Sequence, residues 1–217
     1  MPAHLPATDG PWPSDFRQVR WGLYLRPDAR TCRDQAMIHD LLERQYGLRA
    51  GGAFMPHATI KGFFLSHSSE AELVAALDPV LTMARSFPVH NAGPVRFGPG
   101  TVVLDIQHRR DGSTNDELTT FHTACLDALT PHIAPDCPNT PREAVRDRFH
   151  GHLTLSMADC PEWLGDEVAA FIDDLRPIGS DDFPARHIHL YAFTSADWGG
   201  QWWDSLRWRL CHAWTLA

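Results

Sequence analysis

Two histidines stand in the same short pattern at distant points of the chain, each followed two residues later by a threonine. The segments are His57-Ala58-Thr59 and His152-Leu153-Thr154, and both lie within apolar runs. Imidazole titrates near neutral pH, so one histidine can accept a proton while the other donates one. Threonine hydroxyls can donate hydrogen bonds to phosphate oxygens and stabilise charge that develops there. The pattern therefore predicts metal-free acid–base chemistry on a small phosphodiester.

The surroundings of the two segments, rather than the pattern itself, give them weight. A third match, His67-Ser68-Ser69, also occurs, and we interpret it as a helix-capping loop. Residues 57–59 and 152–154 differ from it because each is followed by a Phe-Pro pair, at Phe87 and Phe183, after 30 and 31 residues. This agreement in spacing indicates an internal duplication.

Strand periodicity extends each motif by one residue. Side chains of a β-strand alternate between its two faces, so every second residue points the same way. The residues on the motif faces are then His57, Thr59 and Lys61 in one strand and His152, Thr154 and Ser156 in the other. Lys61 is the only lysine among 19 basic residues. We therefore expect Lys61 and Ser156 to join the two threonines in binding a substrate phosphate, and the alternative for Lys61 is a solvated charge at the end of the strand.

The elements that position these residues follow from the apolar periodicity. Strands are predicted for residues 21–27, 53–64 and 149–157, helices for 31–47, 68–86, 113–133 and 162–176, a hairpin around Gly98–Gly100, and two closing strands around Gly199–Gly200. The predicted class is α+β. Residues 21–217 should form one bilobal domain, in which two pseudo-symmetric lobes of antiparallel sheet and helices face a central cleft. Residues 1–20 read as a Pro-rich N-terminal arm.

Composition limits the classes of partner. The formal net charge is −8, which disfavours tight binding to long nucleic acid but leaves room for a small phosphorylated ligand in a locally basic pocket. No apolar run is long enough for a membrane span, and the first residues lack the pattern of a signal peptide. The five cysteines are scattered and odd in number, which favours reduced thiols. We expect a soluble, cytoplasmic monomer.

Other residues offer competing interpretations. Tyr191, Trp198 and Trp202 could stack on a nucleobase, although packing in the core is the alternative for aromatic residues. Three arginines of a loop could bind a substrate phosphate or could be solvated; they are Arg142, Arg146 and Arg148. Two same-face histidine pairs could bind a metal; they are His150-x-His152 and His187-x-His189.

The paired His-x-Thr strands, about 95 residues apart, resemble the two-histidine (2H) phosphoesterase superfamily, and MPHATIKGFF (55–64) is similar to its 2′-5′ RNA ligase and cyclic phosphodiesterase branch. The resemblance covers the chain from Trp21 to the terminal hairpin. It implies a bilobal fold, no cofactor, and a metal-independent phosphoric diester hydrolase acting on cyclic 2′,3′-type or 2′-5′ bonds of a small nucleotide or RNA end. His57 and His152 would be the acid–base pair, and Thr59 and Thr154 would hold the phosphate.

Two functions of other classes remain open at this point. The chain could be a nucleotide-binding module that has kept the pocket without turnover. It could also be a metal-dependent hydrolase that uses the His-x-His pairs, with a carboxylate as third ligand.

Overall fold

The computed structural model describes residues 12–137 and 149–217. Within these ranges the chain forms mixed helices and antiparallel strands. The strands are β1 (Val19–Arg26), β2 (Ala58–Phe64), β3 (Phe87–His90), β4 (Gly93–Gly98), β5 (Thr101–Asp105), β6 (His152–Ser156), β7 (Asp182–Ala185), β8 (His187–Thr194) and β9 (Arg207–Thr215). The helices are α1 (Ala29–Tyr46), α2 (Glu70–Met83), α3 (Asp116–Leu129) and α4 (Gly165–Asp174).

The helices begin and end where the local sequence directs them. Asp28 caps α1 by accepting from the backbone N–H of Thr31, and Gly47 ends it in the left-handed conformation at φ 74°. The helix-capping loop predicted at His67-Ser68-Ser69 is confirmed, since Ser69 and Glu72 form a capping box in which each side chain bonds the other's backbone N–H. Within the described ranges every helix is too short or too polar to span a bilayer.

The predicted elements are confirmed in type and order, with shifted ends. β1 begins at Val19, inside the predicted arm, and β2 begins only at Ala58 because Gly51–Ala53 forms a 3₁₀ turn. The helix predicted over 162–176 begins with a 3₁₀ turn at Glu162–Leu164 before α4. The Phe-Pro segment at Phe87 forms a strand of its own, β3, ahead of the hairpin around Gly98–Gly100. Residues 1–11 of the arm and 138–148 of the loop lie outside the described residues.

The strands form three antiparallel sheets. The first sheet has the order β2-β1-β8-β9, the second sheet has the order β4-β5-β6, and β3 pairs with β7. In the β3–β7 pair the two Phe-Pro segments face each other, with Pro88 opposite Pro184. The two segments that signalled a duplication in the sequence therefore contact one another directly.

The order of strands and helices occurs twice along the chain, and each of the two series contributes one strand to the sheet of the other. The chain runs β1-α1-β2-α2-β3-β4 and then β5-α3-β6-α4-β7-β8, so the two series have the same order of elements. The sheet order β2-β1-β8 is matched by β6-β5-β4, which means that each series donates its last strand to the sheet of the other. β9 extends the edge of the first sheet. Each sheet thus contains strands from both halves of the sequence.

The apolar side chains of both sheets pack with the helices into a large common core. A second, smaller cluster lies on the other face of the first sheet and is aromatic. It is built on Tyr24, Tyr191, Phe193 and Leu206, with Phe54, Phe63 and three tryptophans packed against it. The His-x-Thr strand β2 passes beside this cluster. The first motif consequently lies next to aromatic rings.

Candidate active site

Both motif strands carry an extra residue immediately after the threonine. The partners that flank the two irregularities are Tyr24–Thr59 and Leu23–Lys61 in the first sheet, and Val103–Thr154 and Val102–Ser156 in the second. In each case two residues of the motif strand stand opposite one residue of its neighbour, which is the definition of a β-bulge. Ile60 and Leu155 are the additional residues. The two motif strands therefore share this irregularity, while β2 has a further register shift, between the partners of Leu23 and Trp21, that the β5–β6 pair does not show.

The bulges correct the prediction for Lys61 and Ser156. A bulge interrupts the alternation of faces, so these residues turn away from the side that carries the histidine and threonine. Lys61 is only 1% exposed, with its Nζ 3.3 Å from the carbonyl oxygen of Gly62 and 5.4 Å from the ring centre of Phe64. Ser156 is also buried, and its hydroxyl donates to the carbonyl of Gly100. The prediction that Lys61 and Ser156 face the substrate was wrong.

The two histidines and two threonines of the motifs line the same pocket. His57, Thr59, His152 and Thr154 all contribute to its wall, and its volume is about 190 Å³. A cavity of this size takes on the order of ten water molecules, which is enough for a phosphate group with an attached sugar. The convergence of the two motifs follows from the meeting of β2 and β6, which lie in different sheets.

Each motif histidine is oriented by the backbone two residues before it. Nδ1 of His57 lies 2.7 Å from the carbonyl oxygen of Met55, and Nδ1 of His152 lies 2.7 Å from that of His150. A carbonyl oxygen can only accept, so Nδ1 must carry the proton in both rings. In the neutral form Nε2 then has a free lone pair. Both imidazoles are thereby prepared to exchange a proton through Nε2.

Burial lowers the pKa of both histidines. The ring of His57 contacts that of Tyr24 at 4.6 Å and that of Phe54 at 5.4 Å. Loss of hydration disfavours the imidazolium and lowers the pKa of His57 from 6.5 to about 4, with the charge of His152 adding to the effect. Burial also lowers the pKa of His152.

Side chains of helices α1 and α3 form hydrogen bonds to backbone carbonyls of the two bulged strands. Nε2 atoms of Gln35 and His39, both on α1, lie 2.9 and 3.0 Å from the carbonyl oxygen of Thr154. In the other direction, Nδ1 of His122 on α3 lies 2.6 Å from the carbonyl oxygen of Ile60. A bulge disrupts the ladder of its strand, and these side chains satisfy backbone acceptors there. The helix of each series therefore holds the motif strand of the other.

Two glycines make room for this arrangement. A Cβ at Gly51 would lie 3.0 Å from Nε2 of His39, against the hydrogen bond to Thr154. A Cβ at Gly22 would lie 2.4 Å from the hydroxyl oxygen of Tyr24. Glycine at position 22 thus lets the Tyr24 ring fold back along β1 and reach His57.

The aromatic residues that line the pocket are not the predicted ones. None of Tyr191, Trp198 and Trp202, which all lie in the described ranges, belongs to the pocket wall. Tyr191 is buried in the aromatic cluster, while the rings of Trp198 and Trp202 pack on Phe63 and Phe54. Trp198 and Trp202 therefore pack against residues of the pocket wall without lining the pocket themselves.

The pocket wall also contains residues that the sequence analysis missed. They are Tyr24, Gln35, Gly51, Phe54, Gly62, Phe63 and Met157. Phe63 and Phe54 flank the first motif within the same apolar run, and a second register shift of β2, between the partners of Leu23 and Trp21, accompanies the return of Phe63 to the pocket side. Tyr24 and Gln35 belong to other elements, and nothing local to the motifs indicates them.

Among the described residues, the structure does not form the metal-binding groups predicted from the two His-x-His pairs. His150 groups with Asp105 and His108 rather than with His152, and the ligand atoms of these three residues lie within 4.8 Å of one another. In the described part of the chain, His187 and His189 belong to no such group of three. Arg142, Arg146 and Arg148 lie outside the described residues.

Comparisons with known proteins agree with this geometry. A family model described as the 2′-5′ RNA ligase superfamily matches residues 26–197. The structure of E. coli LigT complexed with 3′-AMP is similar with a TM-score of 0.55 and 16% identity, covering 92% of this chain and 99% of LigT. TT0787 of Thermus thermophilus is similar with a TM-score of 0.60 and 10% identity, covering 91% and 97% of the two chains. No curated protein matches the sequence significantly. The likeness to the solved structures establishes the fold.

Proposed function

The chain belongs to the 2′-5′ RNA ligase superfamily, whose members are two-histidine phosphoesterases, and on this premise we propose that it is a metal-independent phosphodiesterase. Its substrates would be cyclic 2′,3′-type or 2′-5′ phosphodiester bonds of a small nucleotide or an RNA end. One observation carries the proposal: two His-x-Thr segments, each with its imidazole Nδ1 bonded to a carbonyl, line one pocket. Acid, base and phosphate-binding hydroxyls are thereby available from the chain itself.

We assign the base to His57 and the acid to His152. Nε2 of neutral His57 would take a proton from the attacking water, which then bonds to phosphorus. The bond from phosphorus to the ribose oxygen breaks, and His152 would give its proton to that oxygen. The apolar rings around His57 favour its neutral form, which is the form a base needs. Solvent returns both imidazoles to their starting states after each turnover.

The threonines would hold the phosphate during this transfer. Thr59 and Thr154 each lie two residues beyond a histidine and line the same pocket, one from each motif strand. Their hydroxyls could donate to the two non-bridging oxygens of a phosphodiester. Donors that are already in place stabilise the charge of the transition state without reorganisation. The bonds from Gln35 and His39 to the Thr154 carbonyl support this placement by fixing β6.

The aromatic wall would bind the organic part of the substrate. Phe54 and Phe63 line the pocket beside the first motif, and base–aromatic stacking contributes affinity for any nucleobase. E. coli LigT, similar in fold, has been crystallised with 3′-AMP and with NADP+. These complexes support a small nucleotide as ligand here. The net charge of −8 also favours a small substrate over long RNA.

We also propose that residues 21–217 act as one domain of two lobes. The first sheet and the second sheet would be the lobes, and a pseudo-two-fold axis would pass between β3 and β7. The matched sheet orders and the opposition of Pro88 and Pro184 support this relation. The five cysteines are scattered along the chain and odd in number, which is compatible with the cytoplasmic location that we propose, and we propose a monomeric state as well.

The deciding experiment is a substrate panel. Purified protein is incubated with 2′,3′-cyclic, 3′,5′-cyclic and 2′-5′-linked nucleotides, with and without EDTA, and the products are separated by chromatography. We expect turnover of the 2′,3′-cyclic or 2′-5′ compounds that survives EDTA. Nucleotide binding without product would instead identify a non-catalytic binding module. Activity abolished by EDTA and restored by metal would identify a metal-dependent hydrolase and refute the proposal.

A further inference from the structure

Three side chains that the proposed reaction does not use converge at the far end of the second motif strand. Asp105 is the last residue of β5, His108 lies in the turn that follows, and His150 lies two residues before the first residue of β6. Because β5 and β6 are antiparallel neighbours, the end of one strand lies beside the start of the other. The group is therefore built by the pairing of the sheet and does not depend on a loose surface contact. None of the three residues lines the catalytic pocket.

The distances within this group suit a small cation. Oδ2 of Asp105 lies 2.8 Å from Nδ1 of His108, and Oδ1 lies 3.3 Å from Nε2 of His150. Zinc–nitrogen and zinc–oxygen bonds of about 2.0–2.1 Å place neighbouring ligand atoms of a tetrahedral site roughly 3.3 Å apart. All three ligand atoms lie within 4.8 Å of one another. One ion can reach all of them after small adjustments.

The second observation is an unsatisfied nitrogen. Nε2 of His150 is buried, lies 3.3 Å from Oδ1 of Asp105, and makes no hydrogen bond of good geometry with the described residues. A buried polar atom without a partner carries a free-energy cost that a ligand can remove. The ring is otherwise held by neighbours, with Phe97 at 4.7 Å and His108 at 5.4 Å.

The carboxylate is fixed before any ion binds. Oδ1 of Asp105 accepts from the backbone N–H groups of Gln107 and His108, at 2.8 and 3.2 Å. The turn that carries His108 is closed by a bridge between His108 and Thr114 and by a hydrogen bond from Arg109 N to Ser113 O. Outer contacts of this kind hold the ligands of metal sites in place.

We propose that Asp105, His108 and His150 form a binding site for a divalent transition-metal ion such as Zn²⁺. Two imidazoles and one carboxylate are a ligand set that such ions take in proteins, with water completing the shell. The ion would join the turn after β5 to the start of β6. It takes no part in the proposed phosphodiester reaction, whose proton transfers are carried by His57 and His152.

The site is tested by Zn²⁺ binding to the metal-stripped full chain. Titration against a chelating dye should give one Zn²⁺ per chain, and Zn²⁺ should raise the melting temperature because it binds the folded state. His108→Gln and His150→Gln should each weaken binding by more than about 10-fold. His90→Gln is the matched control, since His90 contacts Asp182 at 2.5 Å but belongs to no group of three in the described residues. It should bind Zn²⁺ like the wild type.

In the Zn²⁺ titration, either of two results would overturn the proposal. One is the absence of specific Zn²⁺ uptake by the wild type, and the other is unchanged affinity in both histidine variants. Should His150→Gln fail to fold, Co²⁺ added to the wild type gives a second measurement, because it must selectively broaden the NMR signals of His108 and His150. Broadening elsewhere would equally refute the site. All these readouts are independent of turnover, so failure of the phosphodiesterase assay leaves them interpretable.

Discussion

β2 and β6 present their His-x-Thr segments through the same bulge and the same bond from Nδ1 to a carbonyl, yet different side chains surround the two imidazoles. His57 lies against the rings of Tyr24 and Phe54. His152 stands opposite the carboxylate-bearing Asp105 in the sheet and contacts Phe97, which is 45% exposed. Burial lowers the pKa of both imidazoles, and at His152 the nearby carboxylate of Asp105 opposes that effect.

This difference bears on the proposed division of the two histidines into a base and an acid. The backbone fixes where each Nε2 lies and which nitrogen carries the proton, and it does so equally in both strands. Neighbouring side chains set how readily each ring is protonated, because apolar contact disfavours the imidazolium and a carboxylate favours it. Symmetry of geometry therefore coexists with asymmetry of proton affinity, as an acid and a base require.

The largest expected effect comes from removing either histidine. His57→Ala and His152→Ala should each lower kcat by more than about 100-fold, since both proton transfers belong to the same step. Steady-state rates on the best substrate of the panel measure the loss. His212→Ala is the control, because His212 lies on β9 against Trp214 and away from the pocket wall. Full activity in either motif variant would show that the two motif strands do not both contribute a catalytic histidine.

The threonines provide the next test. Thr59→Val and Thr154→Val remove one hydroxyl each while keeping the branched shape, and kcat/KM should fall by about 10- to 100-fold for the loss of a hydrogen bond to a charged oxygen. Thr→Ser at the same positions keeps the hydroxyl and should retain most of the activity. A loss confined to one strand would mean that only one motif holds the phosphate.

The asymmetry of the histidines is tested through pH. A base must be deprotonated, so kcat/KM falls as pH drops through its pKa, which is about 4 for His57. Phe54→Ser should admit water, raise that pKa towards 6.5, and move the acidic limb up by about 1–2 pH units. NMR titration of the His57 ring gives the pKa directly. Phe97→Ser, at the other motif, should leave the His57 titration unchanged, and an equal shift in both variants would contradict the assignment.

The smallest effect on substrate binding is expected at Lys61 of β2 and Ser156 of β6, where the two motif strands differ in charge. Lys61 and Ser156 follow the two bulges and are buried on the side away from the pocket. Lys61→Met should therefore change KM by less than about 2-fold, because only groups that contact substrate alter its binding directly. Ser156→Ala serves as the matched variant. A large rise in KM for Lys61→Met but not for Ser156→Ala would show that Lys61 does contribute to substrate binding.

The sequence predicted the parts of this site that depend on local pattern. Residues 57–59 and 152–154 needed only their spacing and apolar context, and the capping box at Ser69 needed only residue types. The side-chain orientations predicted for Lys61 and Ser156 were wrong, because alternation of faces assumes a regular strand. Gly62, beside Lys61, was a sequence signal for a bulge. Tyr24 and Gln35 could not be found, since Tyr24 reaches the pocket through the pairing of β1 with β2 and Gln35 through the packing of α1 against β6.

The strand exchange between the two series has a consequence for how the protein is made. The second sheet needs only residues up to Ser156, so it can close while the chain is still being synthesised. The first sheet must wait for β8, which begins at His187, and until then the edge of β1 is unpaired and open to other strands. We expect the last 31 residues to be decisive for solubility during synthesis, and chains cut before His187 to aggregate.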